Sequence, residues 1–236
     1  MCVLALAWRA HPRWLLIAAG NRDERHDRAS APLGRWDDAP SVVAGRDRVA
    51  GGTWMGVSEA GRFAVVTNVS TGRTPDPALA SRGALVAGLL DGSHALGAVD
   101  ADSFNPFNLL LVDGGALDAV SNRPAARRRL APGIHALSNG ALDAPWPRAA
   151  ALAATLAAWM AADAADPDRL FDALAVDTPP EADAIPVFIR SPVYGTRCST
   201  IVAIDGGGRG TIAERRFDAA GAHLGDSRLS FAWPAP

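Results

Sequence analysis

Residues 2–24 read CVLALAWRAHPRWLLIAAGNRDE, and this stretch decides the fold. Two apolar runs, residues 2–8 and 14–19, lie on either side of a short turn that contains a proline. The pattern predicts a β-hairpin that is buried on both faces. In a tight hairpin the end of the second strand lies beside the start of the first. We therefore expect Arg22 and Asp23 to lie near Cys2.

Cys2 follows the initiator methionine, and removal of Met1 would leave it at the N-terminus. It would then carry a thiol nucleophile and an α-amine whose reference pKa is about 7.7–8.0. Nucleophile and base are combined in this way in N-terminal nucleophile enzymes. The alternative interpretation is that Cys2 is a small apolar residue at the start of a buried strand.

The composition is that of a globular protein with one sizeable core. The chain has 236 residues, of which 49% are hydrophobic and 20% charged, and we expect a single domain over residues 1–236. The formal net charge of −2 argues against a nucleic-acid partner. The run Arg127-Arg128-Arg129 is too short to change this expectation and favours a solvated helix face.

Cysteine and histidine usage favours a reducing compartment and no metal site. Two cysteines, Cys2 and Cys198, do not make a disulfide framework, and five histidines are scattered without ligand spacing. Cys198 is expected to be inert packing in a buried strand. The apolar runs near the N-terminus are shorter than the roughly 20 residues of a membrane span. We expect a cytoplasmic protein with no stable membrane insertion.

Periodicity along the chain predicts an order of strands, helices, strands, helices and strands. A second hairpin is expected over 53–58 and 62–69, and residues 22–47 are expected to form a long loop with short strands. Helices are predicted over 78–90, 93–101, 146–165 and 168–175. Further strands are predicted over 108–112, 117–121, 134–137, 187–189, 199–205, 211–217 and 227–232. The order suggests two sheets that pack together with helices outside.

Polar residues end several of the apolar strands. Asn68 and Asn139 are amides that could donate to an oxyanion, although single residues of this kind are more often turn or capping residues. An arginine such as Arg22 would favour the thiolate of Cys2. Arg22 and Asp23 could instead pair with each other at the surface, where such pairs contribute little. Arg197 could equally be an internal ion-pair partner.

Six motifs occur in an order that resembles one known family. The motifs are Met1-Cys2, Asn21-Arg22-Asp23-Glu24, Gly51-Gly52-Thr53-Trp54-Met55-Gly56, Ser81-Arg82-Gly83, Phe107-Asn108-Leu109-Leu110 and Tyr194-Gly195-Thr196-Arg197. Together they resemble the NRDE family, also called the transport and Golgi organisation protein 2 family, from residue 1 to about residue 233. That family in turn is similar to the cysteine N-terminal nucleophile hydrolases, which implies an α+β fold: a four-layer α/β/β/α sandwich of two mainly antiparallel sheets.

The resemblance also implies the site residues. Catalytic positions carried over by motif are the nucleophile Cys2, the neighbouring Arg22 and Asp23, the oxyanion asparagines Asn68 and Asn139, and the distal Arg197. Asn21, Trp54 and Tyr194, which belong to the same motifs, are expected to bind the ligand. Trp54 is also explained as a sheet-packing residue.

Two functions follow from the resemblance. The first is an N-terminal cysteine hydrolase or acyltransferase, which acts on the non-peptide C–N bond of a small-molecule amide, or on a thioester, and requires no cofactor. The second is a non-catalytic protein that binds or traffics haem, acyl-CoA or lipid with the same pocket. In that case Arg22 and Arg197 would bind propionates or phosphates bidentately. Haem is expected on the resemblance alone, because the sequence has no haem attachment motif.

Overall fold

The computed structural model describes residues 2–162 and 165–234. Its strands, in chain order, are β1 (Val3–Trp8), β2 (Trp14–Arg25), β3 (Ser30–Trp36), β4 (Ala39–Asp47), β5 (Met55–Ser58), β6 (Arg62–Asn68), β7 (Phe107–Asp113), β8 (Ala116–Asn122), β9 (Ala125–Arg129), β10 (Gly133–Leu137), β11 (Tyr194–Asp205), β12 (Arg209–Phe217) and β13 (His223–Ala232). Its α-helices are α1 (Arg82–Asp91), α2 (Pro147–Ala161) and α3 (Leu170–Leu174). Three-residue 3-10 turns cover Leu96–Ala98, Ala101–Ser103 and Pro167–Arg169.

The chain divides into two compact units, each built on one sheet. The first unit contains residues 2–27 and 132–230 and the six-stranded sheet β10-β1-β2-β11-β12-β13. The second contains residues 28–131 and 231–234 and the seven-stranded sheet β3-β4-β5-β6-β7-β8-β9. Neighbouring strands pair antiparallel from β10 to β12 in the first sheet and from β3 to β9 in the second. The predicted α+β class with two mainly antiparallel sheets is confirmed.

The first unit is organised by the predicted N-terminal hairpin. Strand β1 pairs with β2 from Val3 opposite Asn21 to Trp8 opposite Leu16. Strand β2 continues to Arg25, beyond the apolar run, because β11 pairs with it along almost its whole length. The Asn-Arg-Asp-Glu motif therefore lies inside a strand. Its backbone is held by hydrogen bonds to a neighbouring strand, and its side chains alternate between the two faces of the sheet.

Helix α2 packs on one face of this sheet. Leu152, Leu156 and Met160 follow one another at a spacing of four residues and are buried with Val3 and other small apolar residues of β1 and β2. The helix begins at a proline, whose missing N–H costs nothing in the first turn. The predicted helix over 146–165 is confirmed from residue 147 to residue 161, and residues 163 and 164 of that prediction lie outside the described residues.

The second unit is a meander of strands with α1 on one face. Leu85 and Leu89 of α1 are buried in the core with residues of β4, β6 and β7. The helix begins after Ser81, whose side chain accepts a hydrogen bond from the backbone N–H of Ala84. The strands of this unit follow in sequence order, as expected for hairpin-connected neighbours. In the described part of the chain, no helix combines the length and the apolar character that crossing a membrane requires.

One sequence prediction in the second unit was right in part and another was wrong. Residues 22–47 were expected to form a long loop with short strands, and most of residues 28–47 forms the strands β3 and β4, because Leu33, Val42 and Val43 are buried and the backbone pairs with neighbouring strands. The arginine run 127–129 lies in β9, an edge strand whose residues are all exposed, rather than on a helix face. Charged side chains at a sheet edge protect it against pairing with other chains.

Two further element predictions were also wrong. Residues 93–101 are not an α-helix: α1 ends at Gly92 in a left-handed conformation, and the turn Leu96–Ala98 that follows buries no side chain. Residues 187–189 do not form a strand. The carbonyl oxygen of Val187 instead accepts hydrogen bonds from side chains of β2 and α2.

Candidate active site

Cys2 lies directly before β1, between the continuing strand β2 on one side and the end of β10 on the other. Val3 pairs with Asn21 on one side of β1, and Leu4 pairs with Leu137 on the other. When each pairing is extended along the strands to position 2, Cys2 lies opposite Arg22 on β2 and opposite Asn139, which follows β10. The hydroxyl of Ser138 donates to the carbonyl oxygen of Cys2 at 3.0 Å, which ties the two ends together. Three residues predicted for the site are thus adjacent in the first unit.

The Cys2 thiol is half-buried, and its electrostatic surroundings are mixed. Burial raises the pKa of the thiol above its ordinary value, and the negative charge of Asp23 raises it further. The positive charge of the N-terminus acts in the opposite direction, and so do, to a smaller extent, the charge of Arg22 and a hydrogen bond from the backbone of Asp23. The expected effect of Arg22 on the thiolate is present, but burial outweighs it, so the thiol pKa is raised.

Neighbouring residues of β2 face opposite sides of the sheet. Arg22 pairs in register with Cys198 of β11, whereas Asp23 pairs with Thr196. The side chain of Asp23 points toward α2, since its carboxylate binds a side chain from that helix. Arg22 therefore shares the opposite face with Cys198. The sequence suggested two side chains grouped at the thiol, and the structure shows one on each face.

Asp23 is fixed by a buried ion pair that the sequence interpretation missed. Its Oδ2 lies 2.8 Å from Nη2 of Arg148, and Asp23 and Arg148 are only 3% and 2% exposed. Its Oδ1 accepts a hydrogen bond from the Thr196 hydroxyl at 2.7 Å. Burial raises the pKa of Asp23, while the charge of Arg148 and the hydroxyl of Thr196 oppose that increase. The carboxylate is held in one position by two elements.

A sequence signal for Arg148 does exist. Arg148 precedes Leu152 and Leu156 at intervals of four residues, so it lies on the apolar stripe of α2. An arginine on such a stripe must be paired in the core, because burial of an isolated charge is strongly unfavourable. Its Nη2 also donates to the carbonyl oxygen of Val187 at 2.7 Å.

Asn21 connects three segments of the first unit. Its Nδ2 donates to the carbonyl oxygens of Leu174 at 2.8 Å and Val187 at 3.0 Å, and its Oδ1 accepts from the hydroxyl of Ser199 at 2.7 Å. Both amide protons are therefore used within the protein. This arrangement supports a structural role for Asn21, and the ligand contact remains a prediction.

Tyr194 and Arg197 bind the backbone of β2 and of the residue that follows it. The Tyr194 hydroxyl donates to the carbonyl oxygen of Asp23 at 2.7 Å. Arg197 lies where the β2–β11 register shifts, and its Nη1 donates to the carbonyl oxygens of Arg25 and His26 at 3.0 and 2.8 Å. Arg197 was also considered as an ion-pair partner, and its positive charge helps to lower the pKa of Asp27. Both residues hold the end of β2 in place.

Asn139 is buried next to the start of β1. It is 2% exposed, and its Oδ1 lies 3.3 Å from the hydroxyl oxygen of Ser138. With Oδ1 facing that hydroxyl, Nδ2 is the donor side of the amide, as an oxyanion-binding role requires. Ser138, which was not predicted as a site residue, lies within hydrogen-bond distance of Asn139 Oδ1 and of the Cys2 carbonyl oxygen, and its single proton is shared between the two acceptors.

The other two predicted site residues belong to the second unit. Asn68 is the last residue of β6 and is exposed, in register with Phe107 of β7. Trp54 precedes β5, and its carbonyl oxygen accepts a hydrogen bond from the backbone of Val66 at 2.8 Å. The contact explains how Trp54 is anchored in its own sheet.

Neither metal ligation nor a second reactive thiol is apparent in the described residues. Across residues 2–162 and 165–234, no group of three or more histidine, cysteine or acidic side chains could hold a metal ion. Cys198 is buried in β11, and burial raises its thiol pKa well above the ordinary value. The expected burial of Cys198 is confirmed, and a neutral thiol there is a poor nucleophile.

Comparison with known proteins identifies the family. The family model for Transport and Golgi organisation 2 matches residues 1–219. The chain belongs to this family. Among curated members, it is 31% identical to the Transport and Golgi organization protein 2 homolog of Bos taurus, over 91% of this chain and 92% of that protein. The identity to the Mus musculus homolog is 28% over the same shares.

Comparison with a solved structure gives separate support for the fold of this Transport and Golgi organisation 2 member. The Caenorhabditis elegans N-acylethanolamine-hydrolyzing acid amidase ortholog superimposes with a TM-score of 0.53, over 84% of this chain and 91% of that one. The sequence identity is 12%, so the likeness concerns the fold. The predicted resemblance to N-terminal nucleophile hydrolases is confirmed at that level.

Proposed function

We propose that this protein is an N-terminal cysteine hydrolase, in which Cys2 cleaves a small-molecule amide or thioester after Met1 is removed. The observation that carries the proposal is the position of Cys2 between Arg22 of β2 and Asn139, where β1 begins and β10 ends. A fold shared with an acid amidase supports the reaction class. A shared fold does not by itself fix a substrate.

The reaction begins with attack of the Cys2 sulfur on the substrate carbonyl carbon. The α-amine of Cys2 takes the thiol proton and then passes it to the leaving nitrogen, so that the C–N bond breaks and an acyl thioester forms. Water attacks that thioester, the α-amine again relays a proton, and the carboxylic acid leaves with the thiol restored. A thioester substrate follows the same steps with a thiol as leaving group.

Asn139 is the proposed oxyanion donor of the first unit. Its buried amide, oriented by Ser138, can donate to the carbonyl oxygen as negative charge develops there. Asn68 is proposed as the second donor on the family resemblance. The name of the acid amidase gives the first substrate class to examine, N-acylethanolamines, and acyl-CoA is the corresponding thioester.

The test compares Cys2→Ser with the matched control Cys198→Ser, which removes the buried thiol of β11. Purified protein is incubated with an N-acylethanolamine, an acyl-CoA and a β-lactam, and acyl adducts are located by intact mass and peptide mapping. We expect adducts on Cys2. Where turnover is measurable, Cys2→Ser should lower it by about 10³-fold or more, whereas Cys198→Ser should change it by less than about threefold.

Retention of Met1 in the mature protein, or full turnover by Cys2→Ser, would contradict the mechanism. Saturable binding of acyl-CoA or of haem, without an adduct and without turnover, would instead favour the alternative function, a non-catalytic binding and trafficking protein. Haem titration followed by its absorption band distinguishes the two ligands.

A further inference from the structure

The ion pair between Arg148 and Asp23 lies on the helix side of the sheet, directly behind the nucleophile. Both side chains are almost fully buried, and their closest atoms are 2.8 Å apart. Asp23 follows Arg22, the residue opposite Cys2 in the continued register, and its backbone hydrogen-bonds the thiol. The pair is therefore connected to Cys2 through a single residue of β2.

We propose that Arg148 is a positioning residue of the Cys2 site, which keeps the Asp23 carboxylate charged and fixed on the helix side of the sheet, behind the nucleophile. This inference rests on the proposed function. Arg148 does not contact Cys2 in the structure, and it acts through Asp23. The charged Asp23 is then available to orient the α-ammonium group of the mature Cys2, within the same buried region.

The geometry explains why Arg148 is required for this state. A carboxylate buried in this way would take up a proton unless a positive charge and hydrogen bonds stabilised its charged form. Arg148 from α2 and the Thr196 hydroxyl from β11 supply that stabilisation, and the positive charge of the N-terminus adds to it. The charge of Arg148 makes the largest of these contributions. Without it, Asp23 should become neutral.

Loss of the Asp23 charge has a definite consequence for the thiol. The charged groups of β2 that act on Cys2 are Arg22, which favours the thiolate, and Asp23, which opposes it. Cys198, on the adjacent strand, remains neutral because burial raises its thiol pKa. Neutral Asp23 would therefore lower the thiol pKa, while the α-amine would lose the partner that orients it for proton transfer.

The experiment measures the rate of Cys2 alkylation by iodoacetamide as a function of pH, with adducts assigned by peptide mapping. The variants are Arg148→Met, Asp23→Asn, the double variant and Arg148→Lys. The first three variants should share one pH profile of the alkylation rate, shifted to lower pH relative to wild type. Near neutral pH they should react several-fold faster than wild type. Arg148→Lys should keep the wild-type profile. At pH values below the thiol pKa, a tenfold change in the alkylation rate corresponds to a shift of one unit in that pKa.

Two controls separate this effect from damage to the fold. Arg209 forms an ion pair with Asp205 at the exposed β11–β12 hairpin, and Arg209→Met should leave the alkylation profile unchanged. If amide hydrolysis is detected, Arg148→Met should lower kcat more than it changes KM, even though the thiol reacts faster with iodoacetamide. A structural defect that opened the fold would also expose the buried Cys198 to iodoacetamide, so Cys198 must stay unalkylated in the variants that are compared.

Any of three outcomes would overturn the proposal. They are an unshifted alkylation profile in folded Arg148→Met, a shift of that profile to higher pH, and additive effects in the double variant. If Arg148→Met does not fold, Asp23→Asn is compared with the double variant, which removes both members of the buried pair. Identical profiles support the proposal, and different profiles refute it. Alkylation of Cys2 does not require turnover. A protein that hydrolyses no substrate would therefore refute the proposed function, while the alkylation profiles would still test the role of Arg148.

Discussion

The side chains of Asn21 and Asp23 show how single polar residues organise the first unit. Both face the helix side of the sheet, where they bind segments that are distant in the sequence. Asn21 contacts Leu174 and Ser199, and Asp23 contacts Arg148, at separations of 153, 178 and 125 residues. Buried polar groups require partners because an unsatisfied one is costly. These contacts therefore fix how α2, α3 and β11 dock on β2.

Replacement of Asn21 by alanine should destabilise the protein strongly. It removes three hydrogen bonds, among them the one to the carbonyl oxygen of Leu174, whereas the carbonyl oxygen of Val187 keeps its donor from Arg148. We expect a loss of about 2–4 kcal/mol in the free energy of unfolding. Chemical denaturation followed by tryptophan fluorescence measures this loss. Asn105→Ala is the matched control, because Asn105 makes two hydrogen bonds to the backbone of Asp76 at an exposed position.

The control should lose less than about 1 kcal/mol. Equal losses at the two positions would show that Asn21 is not the structural connection described above. A ligand-binding role for Asn21 would instead predict a folded, stable Asn21→Ala protein with weakened binding.

At the scale of elements, the glycines of two sequence motifs meet where α1 begins. A Cβ atom built on Gly52 would lie 2.1 Å from the backbone carbon of Gly83, and the N–H of Thr53 donates to the carbonyl oxygen of Gly83 at 3.1 Å. Two backbone segments can approach this closely only without side chains between them. The motifs around residues 51–56 and 81–83 thus specify the contact of α1 with the loop before β5.

Gly52→Ala should therefore disrupt the second unit. The new methyl group would overlap backbone atoms, which have no alternative rotamer, so we expect a loss of about 3 kcal/mol or more. Gly34→Ala in β3 is the matched control, since a Cβ there meets nothing within 4 Å. It should change stability by less than about 0.5 kcal/mol. Thermal melts of the two variants give the comparison, and similar melting temperatures would contradict the proposed packing.

At the scale of the whole molecule, the absence of lysine from the sequence provides a specific chemical probe. Every basic side chain apart from histidine is an arginine, and guanidinium groups do not react with amine-directed esters. The α-amine is then the one primary amine of the polypeptide. Its reference pKa of about 7.7–8.0 leaves part of it unprotonated at neutral pH.

An N-hydroxysuccinimide ester at pH 7.5 should therefore add one stable label per chain, and peptide mapping should place it on Cys2 in the mature protein. 2-Cyanobenzothiazole, which condenses with a 1,2-aminothiol, should label the same residue and should not label Cys2→Ser. A label on Met1 would mean that the proposed nucleophile is not N-terminal. This measurement needs no substrate and tests the first requirement of the proposed mechanism.

The amino-acid sequence by itself determined the N-terminal hairpin, the α+β class, the family and the positions of most strands and of α1 and α2. Local patterns suffice for these features, because periodicity and turn residues act over a few residues. Local patterns did not give the extent of β2 or the bounds of β3, β4 and β9, because these depend on pairing with neighbouring strands. Only the tertiary structure decided the surroundings of Cys2.

The reason lies in distance along the chain. Arg148 belongs to an alanine-rich helix and pairs with a strand residue 125 positions earlier, a contact that no local pattern encodes. Strand alternation placed Arg22 and Asp23 on opposite faces once the motif proved to lie inside a strand. The sequence alone thus determined which residue could be the nucleophile, and packing determined which charges act on it.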